Sequence, residues 1–403
     1  MPIFAQLVPA LYGFVGALAV LLTEVAVGIS TAPAWGVASA AGLATLTLAA
    51  AGWVGERGGW RLRLVVVGTM AEAERLASEL ERAGKRGYEV LGAVGIDRLE
   101  SALAGGRVDQ VVFSAGVCDR AVFSRLGRLC LADRAEAVRL SVFHERVFGA
   151  VPLAEIDPSW FVSALSPLHG GRGYERAKRA LDIVVVVPLL VCCAPLIVLF
   201  AALISIRDEQ RGARPGIFKQ QRVGRGGVPF TLYKLRTMTA AGDASAWAVA
   251  DDERVTSIGA FLRKTHLDEL PQLINILKGE MTLVGPRPEQ VAHVAALSQE
   301  LPFFPERHRV TPGLTGWAQV RCGYAGTVEE SAYKLCHDLY YMRHRSLTLD
   351  LAILVETART LVADRQFGLT PITAATMLGR ALPAAVDSSA TPGTAAIGSG
   401  GLR

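Results

Sequence analysis

Residues 181–206 read LDIVVVVPLLVCCAPLIVLFAALISI, an apolar run long enough to cross the hydrocarbon core of a bilayer. Pro188 and Pro195 interrupt the run, and a proline inside a helix removes a hydrogen bond and bends the axis. Cations flank both ends, namely Arg176, Lys178 and Arg179 before the run and Arg207, Arg211 and Arg214 after it. The positive-inside bias then places both ends in the cytoplasm, which predicts a re-entrant helix bent near Pro195. A straight crossing helix is the alternative that the apolar run alone leaves open.

The region around this run is basic. Residues 171–239 hold 12 Lys or Arg and 4 Asp or Glu, a net charge of +8, whereas the whole 403-residue chain carries +5. A basic surface beside a bent apolar helix suits anionic lipid head groups. The charge of the whole chain is too small to indicate nucleic acid, and no nucleic-acid partner is predicted. None of the six cysteines forms a CxxC pair, so neither a zinc ribbon nor a disulfide scaffold is indicated.

Two further apolar runs of spanning length, Leu7–Ile29 and Pro33–Val54, precede the first cluster of cations. They predict a transmembrane helical hairpin over residues 1–56, with the remainder of the chain in the cytoplasm. A pair of buried Ala-rich helices in a soluble core is the alternative, but no amphipathic pattern is visible.

Residues 57–165 alternate strand and helix patterns, with strands predicted at 61–68, 88–96, 108–114 and 137–142 and a helix at 71–83. This order predicts a Rossmann-like α/β accessory domain with a small parallel sheet. A dinucleotide fingerprint would need three glycines after the first strand, and only Gly68 is present. The pattern therefore favours a scaffolding or regulatory domain over a nucleotide-binding one.

Residues 216–240 read GIFKQQRVGRGGVPFTLYKLRTMTA and predict a β-hairpin, since Gly224, Gly226, Gly227 and Pro229 mark a turn. Its cations are Lys219, Arg222, Arg225, Lys234 and Arg236. Such a cluster suits phosphates, both by charge and by the fork geometry of arginine. A solvated basic hairpin is the alternative interpretation.

Adjacent carboxylates, Asp268 and Glu269, stand at the predicted start of a helix that runs to about Lys278. Neighbouring side chains on a helix point about 100° apart, so one carboxylate can attack phosphorus while the other holds Mg²⁺. Arg263 and Arg287 would hold the remaining phosphate oxygens. The structural alternative is a capping box, in which Asp268 only pairs with Thr265 and backbone donors.

The remaining C-terminal patterns are a rigid loop with Trp317 in VTPGLTGWAQV (310–320), a helix over 329–346 and an amphipathic helix over 347–361. The last of these would lie on a membrane surface or pack in the core. Residues 381–403 are predicted to be a disordered tail.

Four segments resemble the bacterial sugar transferases, the monotopic polyprenyl-phosphate glycosyl-1-phosphate transferases. They are KRALDIVVVVPLLVCCAPLIVLFAALI (178–204), IFKQQRVGRGGVPFTLYKLRTM (217–238), FLRKTHLDELPQLINILKGEMTLVGPRP (261–288) and VTPGLTGWAQV (310–320). The resemblance covers about residues 174–365, and the pattern of the tail is most similar to the exosortase-associated exopolysaccharide subgroup.

The resemblance implies that Asp268 is a nucleophile that forms a phospho-sugar aspartate, and that Glu269 binds Mg²⁺. Arg263 and Arg287 would contact phosphates, and the hairpin cations Lys234 and Arg236 join them as phosphate ligands. The donor would be a UDP-sugar that releases UMP, and the acceptor undecaprenyl phosphate in the bacterial inner membrane. A homo-oligomer and downstream glycosyltransferases are further expected partners.

The sequence departs from the family pattern at three places. Ala194 stands where the family usually has Ser before the kink proline, so the bend must be held in another way. Larger members carry four or five N-terminal spans, and two are predicted here. Residues 321–324 read RCGY in place of the commoner NGR, which concerns selection of the donor sugar.

The predicted fold is thus an α+β membrane protein: a transmembrane hairpin (1–56), a Rossmann-like domain (57–165) and a mainly helical monotopic catalytic domain (174–365) with re-entrant helix 181–206. The predicted function is transfer of sugar-1-phosphate to a polyprenyl phosphate on the cytoplasmic side of the membrane. Two rivals remain: a multi-span phosphotransferase, for which there are too few spans, and a non-catalytic scaffold or sensor.

Overall fold

The computed structural model describes residues 61–105, 108–114, 120–156, 160, 171–209, 215–239, 254–322, 327–363 and 377. The predicted transmembrane hairpin and the predicted C-terminal tail lie outside the described residues. Within them the chain is a mixed α/β protein in which helices predominate, as the sequence predicts.

The first unit is a four-stranded parallel sheet in the order β2-β1-β3-β4. Alternate side chains of the central strands point to opposite faces, so each face builds its own apolar core beneath helices. The elements are β1 (Leu62–Val67), α1 (Met70–Arg82), β2 (Tyr88–Val94), α2 (Leu99–Ala104), β3 (Gln110–Phe113), α3 (Arg120–Asp133), β4 (Glu136–Arg139) and α4 (Leu140–Phe148).

The fourth strand is shorter than the sequence predicts. Strand β4 ends at Arg139, and helix α4 begins directly at Leu140, where a continued strand to Val142 was expected. The apolar residues of this stretch are compatible with a helix as well as with a strand. Phe143 and Val147 are four residues apart and are both buried in one core, which is the spacing of one helix face. The tertiary contacts of α4 therefore decide the structure of residues 140–142.

One long helix, α5 (Arg172–Glu209), leads into the second unit. It is the single described helix long and apolar enough to cross a membrane, and 6% of its most apolar 18-residue window is buried. Helical structure continues through Pro188 and Pro195, so the bend near Pro195 stays a prediction. The outward-facing side chains of α5 need an apolar environment that the described part of the chain does not supply.

The second unit combines a β-hairpin, a two-stranded parallel ladder and six helices. The hairpin pairs β5 with β6 in antiparallel register, and β7 pairs with β8. The elements are β5 (Ile217–Val223), β6 (Pro229–Leu235), α6 (Ser257–Lys264), α7 (Gln272–Lys278), β7 (Thr282–Val284), α8 (Val291–Glu300), β8 (Gly313–Thr315), α9 (Trp317–Arg321), α10 (Val328–His344) and α11 (Leu347–Ala363).

Polar contacts anchor the start of α5 on this second unit. The Asp182 carboxylate accepts hydrogen bonds from Thr282 Oγ1 (2.7 Å) and the Leu283 backbone N–H (2.9 Å). Arg179 donates to the carbonyls of Ile276 and Leu277 at 2.5 and 2.6 Å, where helix α7 ends. The bonds from Arg179 pair carbonyls that the end of helix α7 would otherwise leave without a donor. Together with the Asp182 bonds, they fix the N-terminal part of α5 to the second unit.

The two units are joined through α4 and α10. The buried Glu145 carboxylate on α4 accepts from Arg343 (2.7 Å) and from His344 (3.0 Å) on α10. At the end of α4, the Gly149 carbonyl accepts from Trp317 Nε1 at 2.7 Å. The α/β unit is therefore packed directly against helices α9 and α10 of the second unit.

Candidate active site

The paired carboxylates lie in a tight turn that a strained residue introduces. His266 has φ 55° and ψ 15°, in the left-handed region that non-glycine residues rarely occupy. The turn Leu267–Glu269 is 3₁₀ helix, and α7 starts only at Gln272, so the carboxylates precede the helix instead of beginning it as predicted. Strain of this kind is kept where the surrounding structure requires it, commonly at functional sites.

The capping-box alternative for Asp268 is wrong. The Thr265 hydroxyl donates back to the carbonyls of Phe261 (2.8 Å) and Leu262 (3.3 Å), and thus closes helix α6. Within the described part of the chain, no hydrogen bond or ion pair engages the Asp268 carboxylate, which is 7% exposed. The carboxylate is therefore buried and available for chemistry.

Burial raises the pKa of Asp268, and the neighbouring Glu269 carboxylate adds to the rise, while Lys234 and Arg287 oppose it. Burial also tends to raise the pKa of Glu269, but the Arg287 guanidinium outweighs that effect and holds the pKa below its ordinary value. Arg287 donates to both oxygens of Glu269, at 2.6 and 3.5 Å. Two adjacent carboxylates thus have opposite environments, one unpaired and one ion-paired.

Lys234 reaches the carboxylates from the hairpin. Asn275 on α7 holds strand β6, since its Nδ2 donates to the Thr231 carbonyl (2.7 Å) and its Oδ1 accepts from Tyr233 N (3.1 Å). This places Lys234, one residue further, close enough to Asp268 to interact electrostatically. Burial lowers the pKa of Lys234, nearby arginines add to the fall and Asp268 opposes it, so that the pKa is about 8.

The structure brings four of the predicted site residues together around Lys234, namely Asp268, Glu269, Arg263 and Arg287, while Arg236 contacts Pro215 and Phe218. Arg263 bonds Thr237 Oγ1 (3.1 Å) and acts electrostatically on Lys234. Arg236 donates to the Pro215 carbonyl at 3.1 Å, and its guanidinium lies 5.5 Å from the centre of the Phe218 ring. Lys234 Nζ lies 5.4 Å from the same ring centre, so both cations contact Phe218.

A second set of charges beside the site escaped the sequence analysis. Glu289, Arg307 and Asp338 cluster behind Arg287, with Arg307 Nη2 2.7 Å from Asp338 Oδ2 and Arg307 Nη1 3.9 Å from Glu289 Oε1. Arg307 and Asp338 are 31 residues apart, and no local sequence motif predicts an ion pair between them. The only signal in the sequence was the surplus of charged residues in segments that also carry apolar core positions.

The donor set fits Mg²⁺ in part. Mg²⁺ in phosphate sites usually takes one or two carboxylates and completes its shell with water and substrate phosphate, which Asp268 and Glu269 can provide. Both oxygens of Glu269, however, are held by Arg287. Within the described residues, no three His, Cys, Asp or Glu side chains lie close enough together to hold a metal ion by themselves. An ion here would therefore have to arrive with the phosphates of a substrate.

Comparison with known proteins places this site in a family. A family profile described as "Bacterial sugar transferase" matches residues 173–364. A UDP-N-acetylgalactosamine-undecaprenyl-phosphate N-acetylgalactosaminephosphotransferase of Aeromonas hydrophila is 38% identical over 237 residues, which are 57% of this chain and 54% of that protein. A UDP-glucose:undecaprenyl-phosphate glucose-1-phosphate transferase of Escherichia coli K12 is 31% identical over 335 residues, 76% of this chain and 69% of that protein.

A protein of Caulobacter vibrioides with the same name as the Escherichia coli relative is 43% identical over 189 residues, 46% of this chain and 69% of its own length. The chain belongs to the bacterial sugar transferase family, a family of transferase enzymes. It spans about half the length of the Aeromonas relative.

Proposed function

We propose that this protein transfers a sugar-1-phosphate from a UDP-sugar to undecaprenyl phosphate through a covalent intermediate on Asp268. An Asp268 oxygen attacks the phosphorus that carries the sugar, and the bond from that phosphorus to the bridging oxygen breaks. UMP leaves with the electron pair, and a sugar-phosphoryl aspartate remains. A phosphate oxygen of the lipid then attacks the same phosphorus, releasing the Asp268 carboxylate and giving a polyprenyl-diphosphate sugar.

The buried, unpaired Asp268 beside the ion-paired Glu269 is the observation that carries this proposal. A nucleophile needs a free lone pair directed at its target, and Asp268 is the one of the two carboxylates that meets this need. Lys234, Arg263 and Arg287 supply three positive charges against two carboxylates, so a diphosphate can enter without net repulsion. Such preorganised cations stabilise charge that develops on the leaving phosphate.

We include Mg²⁺ in this proposal, with Glu269 as its protein ligand. When bound, the ion would neutralise diphosphate charge and act as a Lewis acid. Arg287, displaced from Glu269 in that event, would turn its guanidinium to the phosphate oxygens that it is shaped to hold.

The contacts of α5 favour a helix that enters one side of the membrane and returns. Asp182 and Ile204 are 22 residues apart, about 33 Å along a straight helix and close to the thickness of the hydrocarbon core. Asp182 bonds strand β7, while Ile204 packs with Leu235 and Leu262 of the same unit. A crossing helix would place these partners on opposite sides of a bilayer.

A labelling experiment tests this topology. In a variant without native cysteines, we expect cysteines introduced at Arg176 and Arg207 to resist a membrane-impermeant maleimide until the cells are permeabilised. Labelling of either position on intact cells would show that the helix crosses the membrane. It would also contradict a cytoplasmic catalytic unit.

The relatives' names point to UDP-glucose and UDP-N-acetylgalactosamine as the first donors to test. The purified full chain in nanodiscs, given undecaprenyl phosphate and either donor, should release UMP and form a lipid-linked sugar. Failure with these and with a wider panel of UDP-sugars would favour the rival proposal, a non-catalytic scaffold or sensor. Membership of the exosortase-associated subgroup, a homo-oligomer and downstream glycosyltransferases stay predictions.

A further inference from the structure

The loop that carries Arg287 is held through its main chain. Pro286 and Pro288 have no backbone N–H, so the loop can be fixed chiefly through its carbonyls. Four successive carbonyls each accept one hydrogen bond: Pro286 from Gly313 N (2.9 Å), Arg287 from Arg307 Nη2 (3.0 Å), Pro288 from Arg222 Nη1 (3.1 Å) and Glu289 from Val223 N (3.0 Å). The donors come from three separate segments of the chain.

Arg307 is the more deeply fixed of the two arginine donors. Its side chain is 5% exposed, and its Nε and Nη2 both bond Asp338 Oδ2, at 3.0 and 2.7 Å. The guanidinium also lies 5.1 Å from the centre of the Phe304 ring. With its position thus determined, Nη2 can hold the Arg287 carbonyl in one place.

Arg222 approaches the same loop from the hairpin. Its Nη2 bonds Gln220 Oε1 at 2.7 Å, and its Nη1 lies 3.8 Å from Glu289 Oε2. Arg307 faces the other oxygen of the same Glu289 carboxylate at 3.9 Å. Glu289 lies between the two arginines and partly neutralises both, which allows two cations to be buried close together.

From this geometry we infer that Arg222 and Arg307 are positioning residues, which set Arg287 against the donor diphosphate by holding the main chain on either side of it. The inference rests on the proposed function. Both guanidiniums contact the loop and residues behind it, and Arg222 also acts electrostatically on Lys234. A displacement of about 1 Å in a substrate-positioning group can cost about 100-fold in rate, so loosening this loop should weaken donor capture.

Donor binding to Asp268→Asn protein tests the inference without turnover. The full chain in nanodiscs is titrated with UDP-glucose and UDP-N-acetylgalactosamine, with Arg307→Lys added in the presence and absence of Arg287→Met. We expect Arg307→Lys to weaken binding about 10-fold or more when Arg287 is present, and less than about 3-fold when it is replaced. A residue that only supports the fold would weaken binding by the same factor in both backgrounds.

Equal factors in the two backgrounds, or no effect of Arg307→Lys while Arg287 is intact, would overturn the inference. Should Arg307→Lys fail to fold, Arg222→Lys provides the same comparison from the other side of the loop. Arg309→Lys is the matched control, because this exposed neighbour pairs with Glu306 and should leave binding unchanged. If Asp268→Asn protein with Arg287 intact binds neither these donors nor any of a wider panel of UDP-sugars, the proposed function fails and the inference falls with it.

Discussion

Arg287 grips both carboxylate oxygens of Glu269, whereas no hydrogen bond or ion pair within the described residues engages the adjacent Asp268. The two carboxylates are neighbours in sequence, yet their electrostatic environments differ because Arg287 forms an ion pair with only one of them. An ion-paired carboxylate keeps its charge and orientation, and an unpaired one keeps a free lone pair. In the proposed mechanism, this pairing separates a binding group, Glu269, from a reacting group, Asp268.

Glu269→Gln should therefore weaken the dependence of activity on Mg²⁺ while leaving the stability of the fold largely unchanged. The amide is a poorer ligand for Mg²⁺ and releases Arg287 from its ion pair, so we expect the half-saturating Mg²⁺ concentration to rise roughly 10-fold or more. The rise would be measured both in turnover and by titration of Mn²⁺ with UDP-sugar, followed by electron paramagnetic resonance. Glu306→Gln, whose carboxylate pairs with the exposed Arg309, is the control. An unchanged metal response of Glu269→Gln would exclude Glu269 as a ligand.

The rate of the donor half-reaction should depend on pH with two limbs. Asp268 must lose its proton to attack, so the rate rises as the pH passes through its pKa, which burial raises above the ordinary value. Lys234 must keep its proton to hold phosphate, so the rate falls as the pH rises through about 8. The profile is measured as kcat/KM for the UDP-sugar with undecaprenyl phosphate present, because in a two-step reaction kcat/KM for the donor reports the free enzyme and the donor half-reaction.

Lys234→Arg should remove the alkaline limb, since a guanidinium stays charged across this range. Lys264→Arg, at an exposed position of α6, should leave the profile unchanged. If the alkaline limb persists in Lys234→Arg protein, another group is responsible for it.

Local patterns predicted much of this fold. The hairpin turn at Gly224, helix α10 and helix α11 were all visible in the sequence, because turn residues and apolar periodicity act over a few residues. The boundary between β4 and α4 was missed because its residues suit both structures, and packing decides.

The candidate site was predictable as a set of residues but not as an arrangement. The sequence shows directly that two carboxylates, Asp268 and Glu269, are adjacent. The ion pair between Glu269 and Arg287 joins residues 18 positions apart, and the sequence does not show which of the two carboxylates takes part. The contact between Arg307 and Asp338 depends on the fold of two separate segments. Pairs of residues this far apart in the chain produce no regular spacing in the sequence, so only the three-dimensional structure identifies them.

Two glycine substitutions should have opposite effects on stability, one at the junction between the two units and one inside helix α3. Gly149 has φ +66°, and an added Cβ would lie 2.8 Å from Trp317 Cζ2, so Gly149→Ala should destabilise the protein by about 1–2 kcal/mol. Gly127, inside helix α3, has nothing within 4 Å of an added Cβ, so Gly127→Ala should stabilise by about 1 kcal/mol. Chemical denaturation in detergent measures both, and a stabilising Gly149→Ala would contradict the junction described here.

The most direct measurement of the central claim is the intact mass of the full chain after brief exposure to a UDP-sugar without lipid acceptor. We predict an added mass of one sugar phosphate, mapped by peptide sequencing to Asp268, with release of UMP and with loss of the adduct when undecaprenyl phosphate follows. Asp268→Asn should form no adduct while it keeps its fold. An adduct on another residue, or transfer to lipid by Asp268→Asn protein, would contradict the account.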